Sequence, residues 1–156
     1  MKNKLSKIPS ASETVKTEIV CPNDTNPMGI LMGGRLVEWM DIAAAVSAQR
    51  HACQVCVTAS IDKVSFIQPA RKGDIITIKA RPSISFNSSV VVHVNAYAWN
   101  NKTRYKWQIC EADFIFVALD ENGKPTGVPA ISPVTQKDKE HYHTALKNRN
   151  RKAGNS

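Results

Sequence analysis

One stretch of the sequence, GRLVEWMDIAAAVSAQRHA over residues 34–52, decides the fold because it predicts a long helix that is apolar on nearly every side. Asp41 lies in the middle of this stretch. A carboxylate in such a helix has to be desolvated, and Asp is among the residues least often buried without a partner. Just upstream, a polar loop over residues 24–34 ends in the pair Gly33-Gly34. An acid on a buried helix that follows a glycine pair indicates a reaction site more than a packing choice.

The rest of the chain is predicted to form β-strands that pack on this helix. Apolar and polar side chains alternate most clearly over residues 89–100, where Val90, Val92 and Val94 share one face. Tight turns join the later strands, and tight turns imply antiparallel pairing. One long helix wrapped by a five-stranded antiparallel sheet is an α+β layer. The predicted strands cover residues 14–21, 55–66, 75–80, 89–100 and 105–119.

A length of 156 residues fits one domain. Residues 1–12 are polar and are predicted to be a disordered tail. The folded domain is expected over residues 13–132. Residues 133–156 are expected to hold a short terminal helix, ending near residue 147, and a basic tail.

The net charge of +8 raises the question of nucleic-acid binding. Four of the cations lie in residues 147–152 and three in residues 1–7, so both ends resemble solvated tails. Basic residues interleaved with aromatics on one face are not found, and no nucleic-acid partner is expected. The cations at Arg71 and Lys72 remain candidates for binding a polyphosphate ligand.

Neither a secretory signal nor a membrane span is predicted, because no apolar run follows the basic start and none approaches the ~18 residues a span needs. The expected location is the cytoplasm. Of the four cysteines, Cys53 and Cys56 have CxxC spacing, but no second pair accompanies them. A tetrahedral zinc site needs four ligands, so we expect no metal and free, mostly buried thiols.

A set of motifs resembles a known family, the acyl-CoA thioesterases of the hotdog fold, in the branch that contains bacterial YciA and the brain-type acyl-CoA hydrolases. The main motif is Asp24-Thr25-Asn26-x-x-Gly29-x-x-x-Gly33-Gly34, followed by Met40-Asp41. Further matches are Val57-Thr58-Ala59-Ser60, Phe66-Ile67-Gln68-Pro69-Ala70 with Gly73-Asp74, and residues 118–125. Together they span roughly residues 14 to 130, and their joint order makes the match specific.

The resemblance implies a catalytic pair, Asn26 and Asp41, supplied by different subunits of a homodimer. Such dimers often assemble as trimers of dimers, so a hexamer is expected. The sequence departs from the family pattern at Gln68, where Arg is common, and at Pro27-Met28, where smaller residues are usual. The first change puts one contact to a coenzyme A phosphate in doubt, and the second affects the acyl entrance. The basic C-terminal tail has no assigned counterpart.

The chemistry expected of the site is thioester hydrolysis. A thiol has a pKa of about 8.5, so coenzyme A can leave without strong acid assistance and no Ser-His-Asp triad is needed. Asp41 would activate water as a general base or attack as a nucleophile. Uncapped N–H groups at Gly33 and Gly34 would polarise the carbonyl. Thr58 and Ser60 are candidates for supporting hydrogen bonds. No cofactor is expected, since coenzyme A is part of the substrate.

Two other classes of protein compete with this hypothesis. A non-catalytic acyl-CoA-binding hotdog protein would not need the acid, so Asp41 counts against it. A hotdog dehydratase usually relies on a His in the loop before the helix, and no His occurs between Val20 and Arg50. The four histidines match no triad or metal spacing. Acyl chain length stays open, as does the choice between base and nucleophile.

Overall fold

The computed structural model of the protein describes residues 5–154 as seven strands and two long helices. The central helix α1 spans Gly33–Ala52, and the second helix α2 spans Gln136–Gly154. Short 3-10 helices occupy Pro9–Ser12 and Pro22–Asp24. The strands are β1 Ser6–Lys7, β2 Thr14–Ile19, β3 Val55–Phe66, β4 Ile75–Ser85, β5 Ser89–Trp99, β6 Lys106–Leu119 and β7 Ala130–Ile131.

Five strands form one antiparallel sheet in the order β2-β4-β5-β6-β3. One face of this sheet packs on α1, and the core between them includes Met40, Ala44, Phe114 and Phe116, all fully buried. Four of the nine buried residues of α1 are alanines, which lets the helix approach the sheet closely. The predicted α+β architecture, a long helix wrapped by a five-stranded antiparallel sheet, is confirmed.

The second helix covers part of the opposite face of the sheet. Its Ala145, Tyr142 and Leu146 pack against Ile84 and Val91. The helix was expected to end near residue 147 and to be followed by a basic tail. Instead it continues to Gly154, so the basic residues 147–152 lie on its last turns. Lys and Arg are favourable near a helix C-terminus, where the helix dipole is negative.

The N-terminal segment differs from the predicted disordered tail over the residues that the structure describes. Residues 1–4 lie outside the described range. From Ser6 onward the chain pairs in parallel with β7, and Lys7 donates from Nζ to the His51 carbonyl oxygen at 2.9 Å. That bond satisfies one of the last carbonyls of α1. The ordered segment therefore closes the C-terminal end of the central helix.

Two surfaces of the single chain expose apolar side chains, although the sequence predicted that the central helix would be buried on most sides. On α1, Ile42 is 45% exposed and Val46 is 36% exposed. On β3, which is an edge strand of the sheet, Val57 and Ile61 are exposed as well. The helix is thus buried on one side only. A long apolar edge strand beside an uncovered helix face marks an association surface.

Candidate active site

Two of the predicted site residues, Asp41 and Thr58, are in direct contact. The Thr58 hydroxyl donates to Oδ1 of Asp41 at 2.8 Å, joining the middle of α1 to the start of β3. Asp41 is half-buried and Thr58 is exposed in the single chain. A hydrogen bond to one carboxylate oxygen fixes the plane of the group and leaves its other oxygen available. Asp41 is therefore an oriented carboxylate at the edge of the uncovered helix face.

Ser60 lies on the other side of the sheet. Thr58 pairs with Phe116, whose side chain is buried against α1, but Ser60 pairs with Ile115. The register shifts between Thr58 and Ser60, so Ala59 is an extra residue, a β-bulge. Ser60 instead lines a cavity beneath α2. The structure brings Thr58 to the acid and does not bring Ser60 there.

Asn26 has its amide orientation fixed by the loop that precedes α1. Its Oδ1 accepts hydrogen bonds from the backbone N–H of Met28 at 2.9 Å and of Ile30 at 3.1 Å. Its backbone also pairs with Ile30 and Gly29, and Gly29 takes a φ of 74° that favours glycine. With both bonds made to the oxygen, the side-chain NH₂ is the group of Asn26 left to donate to a ligand.

The start of α1 offers free backbone donors, as predicted. Met32 is the N-cap residue and its side chain caps nothing. In the part of the chain that the structure describes, no acceptor is bonded to the N–H of Gly33 or Gly34, whereas Leu36 N–H already donates to the Met32 carbonyl. Unpaired N–H groups at a helix start carry partial positive charge. They suit a developing oxyanion.

Gly33 is needed for space beside a cleft at this helix start. A Cβ at Gly33 would stand 3.1 Å from the ring of Phe66, whereas one at Gly34 would meet nothing within 4 Å. The cleft has a volume of about 350 Å³ and is mostly apolar. Its lining includes Ile30, Leu31, Gly33, Leu36, Phe66 and Pro69.

The free N–H groups and the acid lie apart within one chain. Asp41 follows Gly33 by eight residues, and a rise of about 1.5 Å per residue separates them by roughly 12 Å along the helix axis. No hydrogen bond joins Asn26 to Asp41 among residues 5–154. One chain therefore holds the free N–H groups and the acid at different levels of the same helix.

Arg71 and Lys72 lie on an exposed turn next to the Asn26 loop. Arg71 forms an isolated bridge with Ile30 of that loop. The buried Asp74 accepts from the Arg71 N–H at 2.8 Å, and Gly73 has a φ of 91°. The turn is thus rigid, while its two cationic side chains reach solvent.

Cysteines and histidines lie away from this group. Cys56 and Cys110 are buried, and burial raises the pKa of each thiol to about 11. Cys21 and Cys53 are exposed, which corrects the prediction of mostly buried thiols. A pair missed in the sequence is His93 and Asp113, 2.7 Å apart on the sheet face under α2, because neighbours on adjacent strands are distant in the chain. Residues 5–154 hold no cluster of three metal-binding side chains.

Neither helix within the described part of the chain has the length and hydropathy to cross a bilayer.

The fold and this arrangement define a hotdog-type thioesterase. Residues 28–104 match the thioesterase superfamily. An acyl-CoA thioester hydrolase of Bacillus subtilis, YkhA, is 35% identical over 139 residues, covering 89% of this chain and 81% of the relative. The chain belongs to this family of acyl-CoA thioester hydrolases, and the predicted family is confirmed. The mammalian relatives are longer, and the chain spans 23% to 36% of their length.

Solved structures support the same family. A hexameric acyl-CoA thioesterase without ligand is 35% identical, with a TM-score of 0.91, covering 96% of this chain and 97% of that one. An acyl-CoA hydrolase from Staphylococcus aureus, in complex with butyryl coenzyme A, coenzyme A and coenzyme A disulfide, is 34% identical. Its TM-score is 0.89, and the match covers 96% of this chain and 92% of that one. Other structures of the S. aureus hydrolase carry an alanine in place of one aspartate, one threonine or one asparagine.

Proposed function

We propose that this protein hydrolyses acyl-CoA thioesters to a carboxylic acid and coenzyme A. The observation that carries the proposal is the Asp41 carboxylate, held at 2.8 Å by the Thr58 hydroxyl beside the exposed Ile42 and Val46 of α1. Burial of an acid at such a place costs free energy unless the acid has a task or a partner. The family of the chain supplies the reaction class.

Chain spacing supports the assignment of the three polar residues. In the S. aureus variants the substituted asparagine and aspartate lie 15 residues apart, and the threonine follows the aspartate by 17. Asn26, Asp41 and Thr58 have the same separations. The equal spacing and the Thr58–Asp41 hydrogen bond together favour one functional set: an acid, the hydroxyl that orients it, and an amide donor.

The proposed mechanism uses water and no cofactor. Asp41 accepts a proton from a water molecule, whose oxygen attacks the thioester carbonyl carbon. The carbonyl oxygen becomes an oxyanion that accepts hydrogen bonds from backbone N–H groups at Gly33 or Gly34 and from the Asn26 NH₂. The C–S bond then breaks and coenzyme A leaves as a thiolate, which takes up the proton. Attack by Asp41 itself through an anhydride remains the alternative for the first step.

A homodimer would bring the start of α1 in one subunit, with its free N–H groups, close to Asp41 of the other subunit. The uncovered face of α1 and the free edge of β3 are continuous with Asp41, and a second copy that covers them would bury Ile42, Val46 and Ile61. We propose that Asn26 and Asp41 of one site come from different subunits. Three such dimers would form a hexamer, the state of a similar thioesterase. A cytoplasmic location and the absence of nucleic-acid partners belong to the same proposal.

The test is hydrolysis of acyl-CoAs of increasing chain length by the wild type and by Asp41→Asn. The variant keeps the shape of the side chain and an acceptor for Thr58 but removes the base. We expect turnover to fall by at least about 10³-fold, in the range for loss of a catalytic base, with the thermal midpoint unchanged. Ser60→Ala, on the opposite sheet face, is the control and should keep full activity. Undiminished hydrolysis by Asp41→Asn would refute the role, and tight coenzyme A binding without any turnover would favour the non-catalytic alternative.

Sharing of the site between subunits has its own experiment. Asn26→Ala and Asp41→Ala chains, each inactive, are mixed and allowed to exchange subunits. A mixed dimer contains one site with both residues intact, so about half of the sites in it should recover. Verified mixed dimers without recovery would contradict the shared site.

A further inference from the structure

An exposed aromatic pair lies beside the cleft at the helix start and has no part in the mechanism above. The rings of Tyr105 and Trp107 stack with centroids 5.6 Å apart and planes inclined by 16°. Tyr105 is 61% exposed, so the outer face of its ring is open to solvent. Trp107 packs against the core and donates from Nε1 to the Pro69 carbonyl at 3.0 Å. Since Pro69 lines the cleft, the aromatic pair borders it.

Two cationic turns flank this pair, and one buried carboxylate ties them together. Asp74 accepts from the Arg71 N–H at 2.8 Å and from the Asn100 side chain at 3.2 Å. The turn of Arg71 and Lys72 is therefore fixed next to the turn of Lys102 and Arg104. All four cations are exposed, and none forms an ion pair within residues 5–154.

Backbone conformation adds a second sign that the Arg104 turn is shaped for a ligand. Arg104 has a φ of 60°, a left-handed conformation that is higher in free energy for a residue with a side chain than for glycine. Its N–H donates to the Asn100 carbonyl at 2.8 Å, which holds the turn in place. Strain of this kind at a long cationic side chain points to function when a binding surface is present.

We propose that the Tyr105–Trp107 stack, with Arg104 and the Arg71–Lys72 turn, binds the nucleotide end of coenzyme A. An aromatic face open to solvent accepts a purine ring by stacking. Unpaired Arg and Lys side chains suit the phosphates on either side of it. This subsite rests on the proposed function for its substrate.

The experiment compares ligands with and without the nucleotide. Calorimetry measures the Kd of coenzyme A and of pantetheine for the wild type, Tyr105→Ala and Tyr105→Phe. Removal of the ring should weaken coenzyme A binding about tenfold, within the range for loss of one base–aromatic stack, and leave pantetheine binding unchanged. Tyr105→Phe keeps the stack and should bind like the wild type. These measurements need no turnover, so they stand even if the chain hydrolyses no thioester.

Arg104 provides a charge test that separates binding from folding. Arg104→Gly relieves the left-handed strain, so its thermal midpoint should equal or exceed that of the wild type. Its coenzyme A Kd should rise severalfold and depend less on salt. Lys106→Gln is the control, because Lys106 lies on the other sheet face over the Tyr97 ring, 4.8 Å from its centroid.

Unchanged coenzyme A binding in Tyr105→Ala would overturn the proposal. Equal weakening for pantetheine would overturn it too, as would loss of the oligomer with unchanged affinity per site.

Discussion

Attachment of α2 to the sheet depends on one buried carboxylate, Asp138. Arg81 on β4 donates to it twice, at 2.7 Å and 3.0 Å. Asp138 also accepts from the Val134 and Thr135 N–H groups, and the Thr135 hydroxyl accepts from the Asp138 N–H, a reciprocal cap at the helix start. We predict that Asp138→Asn, which keeps the shape but removes the charge, releases α2 from the sheet.

The expected cost follows from these contacts. Loss of a buried partner typically costs roughly 3–5 kcal/mol, because the remaining charge is left without compensation. Here Arg81 keeps Glu13 at 2.6 Å, and its side chain is 30% exposed, so water can solvate part of it. We therefore expect about 2 kcal/mol, which corresponds to about 30-fold faster exchange of α2 amides through local opening. The helix is polar apart from its few contacts with the sheet, so the core should not open with it.

Hydrogen exchange measured by mass spectrometry resolves this prediction along the chain. Peptides from residues 136–154 should exchange faster in Asp138→Asn, while those from β5 and β6 should not change. Glu140→Gln removes the same charge from an exposed position of α2 and serves as the control. Unaltered exchange in α2 would refute the reasoning. Equal acceleration in the central strands would do so as well, because it would mean global unfolding.

The same contact predicts a dependence on pH. The Arg81 guanidinium, helped by two backbone N–H groups, lowers the pKa of Asp138 well below its ordinary range. A carboxyl group with a lowered folded-state pKa stabilises the folded state above its unfolded pKa of about 3.9. That stabilisation is lost as the pH falls through the folded-state value. The difference between wild type and Asp138→Asn should be constant near neutral pH and shrink below about pH 4.

Two further predictions concern the site. Thr58→Val removes the hydroxyl bonded to Asp41. Because a hydrogen bond to a charged group is worth about 1.5–3 kcal/mol, kcat should fall about tenfold or more with KM nearly unchanged. Thr58→Ser should keep the wild-type kcat, and full activity of Thr58→Val would contradict the orienting role. Gly33→Ala forces Phe66 away from a Cβ at 3.1 Å and should raise KM severalfold, whereas Gly34→Ala meets open space and should not. Equal steady-state parameters for the two glycine variants would rule out the steric argument.

Much of the fold could be predicted because local patterns determine it. The apolar run around Met40 predicted the central helix, and its observed start at Gly33 differs from the predicted one by a single residue. The pairing of Ser6 and Lys7 with β7 could not be predicted, since the partners lie more than 120 residues away. Two-residue strands carry no alternation to detect. The length of α2 was also missed, because its last turns are basic and resemble a solvated tail.

Residue types for a candidate site could be proposed from the sequence, but their geometry could not. Thr58 and Ser60 are two residues apart, so alternation in a regular strand would place both on one face. The bulge at Ala59 reverses that expectation, and only the pairing with β6 reveals it. Asn26 was expected from the resemblance. That its NH₂ is the group left to donate could be learned from the structure alone, because the loop N–H groups occupy its oxygen.

Exposure of apolar residues around Asp41 explains why an acid can reside on this helix. In one chain Asp41 is half-buried and Ile42, 45% exposed, lies next to it, so the carboxylate can be solvated before assembly. A second copy that covers this face would remove water from the apolar surroundings of the carboxylate. On the proposed assembly, the helix start of one subunit then reaches the acid of the other. Each chain would fold without a buried, unpaired charge, and the desolvated site would arise only with the dimer.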